Sequence, residues 1–287
     1  VTRLAISKTY KLAIAGAFPR SESGRTYEVT TSKGAFLANA AKASRKDARD
    51  AVVAARAAQP GWAGATAYNR GQVLYRIAEL LEGRRDQFAA EIRATEGATP
   101  AVAGRQVDAA IDTWVWYAGW ADKFAQVAGS GNPVAGPFFN LSVPEPTGVV
   151  AAVAPQGVPG GSLLGVVAVV APAIVSGNAV VVVADERRPL GSVSLAEVIA
   201  TSDVPGGVVN VLTGSPSEIA PWLAAHADVN ALDLAGAGDL DWVELQIAAA
   251  DTLKRVLDPV PGIPGRELRR ILDLTETKTI WHTKSTL

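Results

Sequence analysis

The 287-residue sequence predicts an α/β fold, a doubly wound, Rossmann-like parallel sheet preceded by a helical amino-terminal region. Short runs of Val, Ala and Leu at residues 148–153, 179–183, 208–212 and 231–234 alternate with helical stretches at 162–176, 190–201 and 217–227. Such alternation implies right-handed crossovers and parallel strands covered on both faces. Three consecutive stretches of helical periodicity come before the first strong strand signal in that array.

In chain order, residues 10–17, 26–31 and 36–40 mix β-branched and aromatic residues and read as short edge strands. Ser44 with Asp47 three residues on forms a capping-box start, and Val52, Ala55 and Ala58 recur at helical spacing up to Trp62. Over 67–96, Leu74, Ile77, Leu81, Phe88 and Ile92 follow a 3.6-residue period, with a bend expected at Gly83. Residues 100–127 repeat the pattern through Val107, Ile111, Trp114 and Tyr117. Trp114, Trp116, Tyr117 and Trp120 are expected to pack in the core rather than cage a ligand.

A Pro- and Gly-rich segment around 129–147, carrying Phe138 and Phe139, suggests a hairpin outside the main fold. Residues 1–259 are therefore taken as one domain bearing that hairpin. Residues 260–287 are expected to be a linker with Pro261 and Pro264, followed by a strand at 277–283 rich in β-forming residues.

Composition excludes several functions. The formal charge of −1, from 27 basic and 28 acidic residues, gives no field to draw in nucleic acid or an anionic membrane. With no cysteine there is no thiolate nucleophile and no cysteine metal site, and His226 and His282 stand apart from any ligand cluster. Both histidines are read as structural, and no metal is expected. The apolar run 163–175 contains Pro172 and is too short for a membrane span, and a cytosolic protein is expected.

Ligands of open parallel sheets bind outside the carboxyl ends of the strands, which directs attention to loops 154–161, 184–188, 213–216 and 235–239. The first, Ala-Pro-Gln-Gly-Val-Pro-Gly-Gly, enters a helix at Ser162, where free backbone N–H groups suit an anion. It matches neither standard phosphate-loop pattern. Ser162 itself reads as a helix N-cap.

The order of motifs resembles that of aldehyde dehydrogenases: Ala-Gln-Pro-Gly-Trp-Ala at 58–63, Tyr-Asn-Arg-Gly at 68–71, Pro-Glu-Pro-Thr-Gly-Val-Val at 144–150, Ala-Pro-Ala-Ile-Val-Ser-Gly-Asn at 171–178 and Pro-Gly-Gly-Val-Val-Asn-Val-Leu-Thr-Gly at 205–214. The resemblance runs from about residue 10 to 257 and implies an NAD-type cofactor fold. It also marks departures. Gly157 stands where the family has the Asn that donates to the oxyanion, and Val183 replaces the ribose-binding Lys while Glu186 keeps its carboxylate. The pyrophosphate turn has Ala237 in place of a hydroxyl residue, with Gly236 retained, and Asp258-Pro259 follows where the family supplies its general base.

The resemblance thus implies a shortened member lacking the catalytic domain, with vestigial cofactor contacts at Glu186, Gly214 and Gly236 and no catalytic residue. No firmly held cofactor is expected, NAD or NADP binding only weakly. The hairpin and the tail strand resemble the family's oligomerisation elements. Three readings follow: assembly with itself or with a full-length aldehyde dehydrogenase, a free-standing nucleotide-binding module, or an enzyme with Ser162 or Thr213 as nucleophile. In the first, residues 277–283 form an intermolecular strand anchored by Trp281, and a homodimer uses the helix from Leu190 or the hairpin.

Overall fold

The computed structural model describes residues 8–284. At its amino-terminal edge β1 (Thr9–Tyr10), β2 (Thr26–Thr30) and β3 (Phe36–Ala41) form a small sheet in the order β1-β3-β2. Residues 11–17 continue β1 only as isolated bridges, one of them pairing Ala13 with Val211.

Four longer helices follow: α1 (Arg45–Gly64), α2 (Ala67–Gly83), α3 (Arg85–Glu96) and α4 (Pro100–Trp120), then the short α5 (Phe124–Ala128). The capping box forms as expected, Ser44 Oγ accepting from the Asp47 N–H and Asp47 Oδ2 from the Ser44 N–H at 2.8 Å. At Gly83 the expected bend is a full break, with Arg84 at φ −112° between two separate helices. The aromatic cluster packs as predicted: Trp114 and Tyr117 are fully buried, and the Trp116 ring meets Tyr117 edge-on at 4.8 Å.

The central sheet contains β6 (Val149–Val153), β7 (Ala179–Val183), β8 (Val209–Leu212), β9 (Ala231–Asp233) and β10 (Arg255–Leu257), all parallel, in the order β10-β9-β6-β7-β8. A π-helical turn, Gly161–Gly165, leads into α6 (Val166–Val175). The remaining crossovers are α7 (Leu190–Ile199), α8 (Pro216–Ala225) and α9 (Trp242–Ala250). The doubly wound sheet was legible in advance, except for β10 and α9. One core on the α4 and α6 side takes Ala152, Val180 and Val182, and another, under α1 and α8, takes Ala151, Val181 and Val183, as alternate side chains of a strand demand.

Several family-like motifs meet at the end of α6. Trp62 Nε1 donates to Ile174 O at 2.8 Å, and the buried Arg70 donates to the carbonyls of Val175, Ala63 and Ala65. Asn178 accepts from the Gly148 N–H at 2.7 Å and donates to Leu274 O at 2.8 Å. These residues satisfy helix ends and strand starts that would otherwise be left unpaired.

The carboxyl-terminal part departs from expectation in two ways. The stretch read as a linker carries α10 (Leu268–Leu272), whose Ile271, with Leu274 just beyond, is fully buried in the core with α4 and α6. The tail is β11 (Thr275–Thr283), and it pairs antiparallel with the chain's own β5 (Phe138–Pro146) in unbroken register, Thr275 opposite Pro146 and Thr283 opposite Phe138. With β4 (Ser130–Gly131) they make an arm in the order β11-β5-β4. One side of the tail strand is thus paired within the chain, because the hairpin offers a strand of matching length, while its other side stays unpaired among the described residues. Leu190, expected to start a surface helix, is only 2% exposed and packs under the amino-terminal sheet.

Candidate functional site

From β6 the sheet grows through β7 and β8 on one side and through β9 and β10 on the other. The topological switch therefore lies between β6 and β9, and the crevice belongs at their carboxyl ends. A cleft of about 230 Å³ lies there, bordered by Gln156, Gly157, Asp185, Glu186, Ser215, Gly236 and Asp239. A larger cavity of about 550 Å³ lies at the base of the arm beside Arg70 and Glu145, but it is remote from the strand ends and Arg70 is already committed to carbonyls. Chemistry is sought in the smaller cleft on topological grounds.

Two carboxylates of the chain itself occupy the N–H groups that an anion would need. Asp185, fully buried, accepts from the N–H of Gly157 at 2.8 Å, of Arg187 at 2.9 Å and of Arg188 at 3.2 Å. Burial pushes its carboxyl above the ordinary aspartate value, and these N–H groups and the Arg188 charge draw it back. Glu96, at the end of α3, accepts from the N–H of Gly160 at 2.7 Å, the N–H of Ser162 at 3.3 Å and the Ser162 hydroxyl at 2.5 Å. The amino end of the π-helical turn and α6 is thus satisfied from within.

The Gly157 N–H, the one backbone donor at the position of the family's oxyanion amide, is spent on Asp185. Gln156 beside it is locked by donation to Ala154 O and acceptance from the Glu186 N–H. Asp185, Glu186 and Asp239 border the cleft together with Arg187, an excess of negative charge that opposes a pyrophosphate.

Of the residues expected to contact a cofactor, Glu186 and Gly236 border the cleft, whereas Gly214 turns away from it toward Lys42 and Ala43. Gly214 has φ +125°, and its neighbour Ser215 faces the cleft instead, 3.4 Å from Glu186. Gly236 is required by the fold: a Cβ there would fall 1.9 Å from Ala154 O. Ser162 does not cap the helix through its side chain, since its hydroxyl is drawn to Glu96. Thr213, fully buried, donates to Ala41 O. Both hydroxyls are buried, Ser162 bonded to the Glu96 carboxylate and Thr213 to a backbone carbonyl. Sequence reading missed Glu96 because it acts on loop atoms far along the chain, and missed Asp185 because its bond to Gly157 joins two separate loops.

Among the described residues no group of three or more His, Cys, Asp or Glu side chains is placed to hold a metal ion, and no helix is long and apolar enough to cross a membrane.

Residues 18–257 match the model of the aldehyde dehydrogenase family. The chain is 30% identical over 264 residues to mouse cytosolic 10-formyltetrahydrofolate dehydrogenase, covering 89% of this chain and 29% of that protein. It is 33% identical over 233 residues to rat mitochondrial aldehyde dehydrogenase, covering 79% and 44%. Among solved structures, an aldehyde dehydrogenase from Bacillus cereus superposes with a TM-score of 0.78 at 25% identity, over 87% of this chain and 50% of that one. Betaine aldehyde dehydrogenase from Staphylococcus aureus, solved with NAD+, has a TM-score of 0.78 at 23% identity, over 86% and 48%. The chain spans about half the length, or less, of these relatives.

Proposed function

This chain belongs to the aldehyde dehydrogenase family, and from that premise we propose that its 287 residues do not oxidise aldehydes and serve in assembly, with a second copy or with a longer aldehyde dehydrogenase. One observation carries the first half: Asp185 and Glu96 take up the N–H groups of the glycine-rich loop that would hold an anionic cofactor or a developing oxyanion. The residue types point the same way, with no cysteine in the chain, Gly157 in place of the oxyanion amide, and Val183 and Ala237 in place of cofactor-binding side chains. Loss of one oxyanion donor alone costs about 10²- to 10³-fold in rate where catalysis depends on it.

The second half rests on the arm. Phe139, Leu141 and Trp281 are 59%, 43% and 59% exposed on β5 and β11, and the outer edge of β11 is unpaired among the described residues. An unpaired strand edge of that length, beside exposed apolar side chains, is an aggregation hazard unless covered. Purified protein should give no aldehyde-dependent reduction of NAD or NADP, and calorimetry no saturation at micromolar NAD. Turnover that is abolished by a substitution within this chain refutes the proposal. A second reading, a nucleotide-binding module, keeps one supporting feature: the Glu186 carboxylate and the Ser215 and Ser217 hydroxyls border the open cleft. A micromolar dissociation constant lost in Glu186→Ala would favour it.

A further inference from the structure

After β10 the chain does not leave the sheet but runs back across the carboxyl ends of its strands. Asp258 accepts from Gln246 of α9 at 2.8 Å, and the Val260 N–H donates to Ala235 O, just past the end of β9, at 3.3 Å. Ile263 then lies on the loop after β6: a Cβ added at Gly160 would be 3.2 Å from Ile263 Cδ1. Arg266 reaches Asp112 of α4 at 4.0 Å. The segment is fastened at its far end by the ion pair between Arg270 and the wholly buried Asp233, at the tip of β9, and by the buried Ile271 and Leu274. Asp233 has no other ionic partner among the described residues, so burial alone would disfavour its charge and the pair holds α10 in register with the sheet.

We propose that residues 258–267 are a strap that fills the half of the crevice on the α4 and α6 side, so that no dinucleotide can lie across the switch point. The loop 154–161 is the partition. On its α8 and α9 side the cleft remains open between Glu186, Ser215 and Asp239, and on the other side Val260 and Ile263 take the space. The open half, about 230 Å³, is below the 300 to 1,000 Å³ usual for ligand sites of drug size. This inference rests on the reading that the cleft is not a working cofactor site, and supplies a steric cause beside the electrostatic one.

The absence of cysteine makes the strap directly testable, because an introduced thiol has no background. Ile263→Cys and, as an exposed control on the same segment, Pro261→Cys are made in the full chain and titrated with a chromogenic disulfide. The Ile263→Cys thiol should react at least about tenfold more slowly than the control. Adding Arg270→Leu should abolish most of that difference, and if this double variant does not fold the comparison of the two single variants still decides. Equal rates in the single variants overturn the strap, whatever NAD does. Micromolar binding of NAD with the Ile263→Cys thiol still shielded overturns the reading of the cleft, and with it the claim of blockage, while leaving the strap's position intact. Micromolar binding of NAD that unshields the thiol overturns the strap as a fixed plug.

Discussion

Gly236 marks how far one residue's role can shift between sequence and structure. The family resemblance assigns it to close approach of a cofactor pyrophosphate, yet what approaches it is the carbonyl of Ala154, and its own N–H donates to Val153 O at 2.9 Å. Gly236→Ala should therefore destabilise the protein by about 3 kcal/mol or more, since a methyl group would have to displace backbone at the end of β6. Urea unfolding of the variant would check this, and a loss under about 1 kcal/mol would mean the loop can shift freely. Glu186 was accessible to sequence reading because its loop follows a recognisable strand, whereas in the next loop the reading settled on Gly214 and passed over its neighbour Ser215. Asp185 and Glu96 were not accessible, because nothing local says that a carboxylate will turn inward and consume another loop's N–H groups.

Elements were legible where the signal was local. The Ser44 and Asp47 box fixes the start of α1, and the Val-rich runs fix β6 to β9. β10 is only three residues long, and α9 leaves Val243 and Ile247 about half exposed, so neither shows a clean polar and apolar division. The junction of α3 with α7 gives a prediction of its own. Glu91 accepts from Gln87 and from Ser194 at 2.8 Å through one oxygen, while its other oxygen is buried without a partner. Burial pushes its carboxyl up, with Glu197 adding repulsion and Lys8 opposing, and the nearby Tyr10 phenol is pushed up to about 12. A carboxyl raised on folding binds its proton more tightly in the native state, so it costs stability above its folded pKa and the cost is relieved as pH falls toward the unfolded value near 4. Asp185 and Asp233 are raised as well and act in the same direction, whereas Glu276, held down by Arg255, acts in the opposite one. Glu91→Gln should accordingly raise the thermal midpoint at pH 7 and leave it unchanged or lower near pH 4. Parallel midpoint curves for the two proteins from pH 4 to 7 would contradict the buried-carboxylate account.

At the scale of the whole molecule the arm is the feature the main fold does not explain. It carries Trp281 edge-on to Phe138 at 5.9 Å on one face, with Phe139 and Leu141 on the other, and it projects from a body whose cores are already closed. The sequence identified the hairpin and the tail strand, but not that they pair with each other, because antiparallel register over so long a separation depends on α10 delivering Thr275 opposite Pro146. If the arm exists for assembly, the purified chain should be an oligomer by light scattering, or should bind a longer aldehyde dehydrogenase from its own cell. A truncation ending at Thr275 keeps Leu274, whose carbonyl receives Asn178 and the Thr147 N–H, and so should preserve the fold while removing most of β11. That truncation should lose the assembly, and Trp281→Ala should weaken it by about 2 kcal/mol, roughly 30-fold in dissociation constant, if the ring is an interface anchor. Circular dichroism separates loss of association from loss of fold. A wild type that is monomeric, together with a truncation that binds the longer partner as tightly as the wild type does, would remove the arm from any role in assembly.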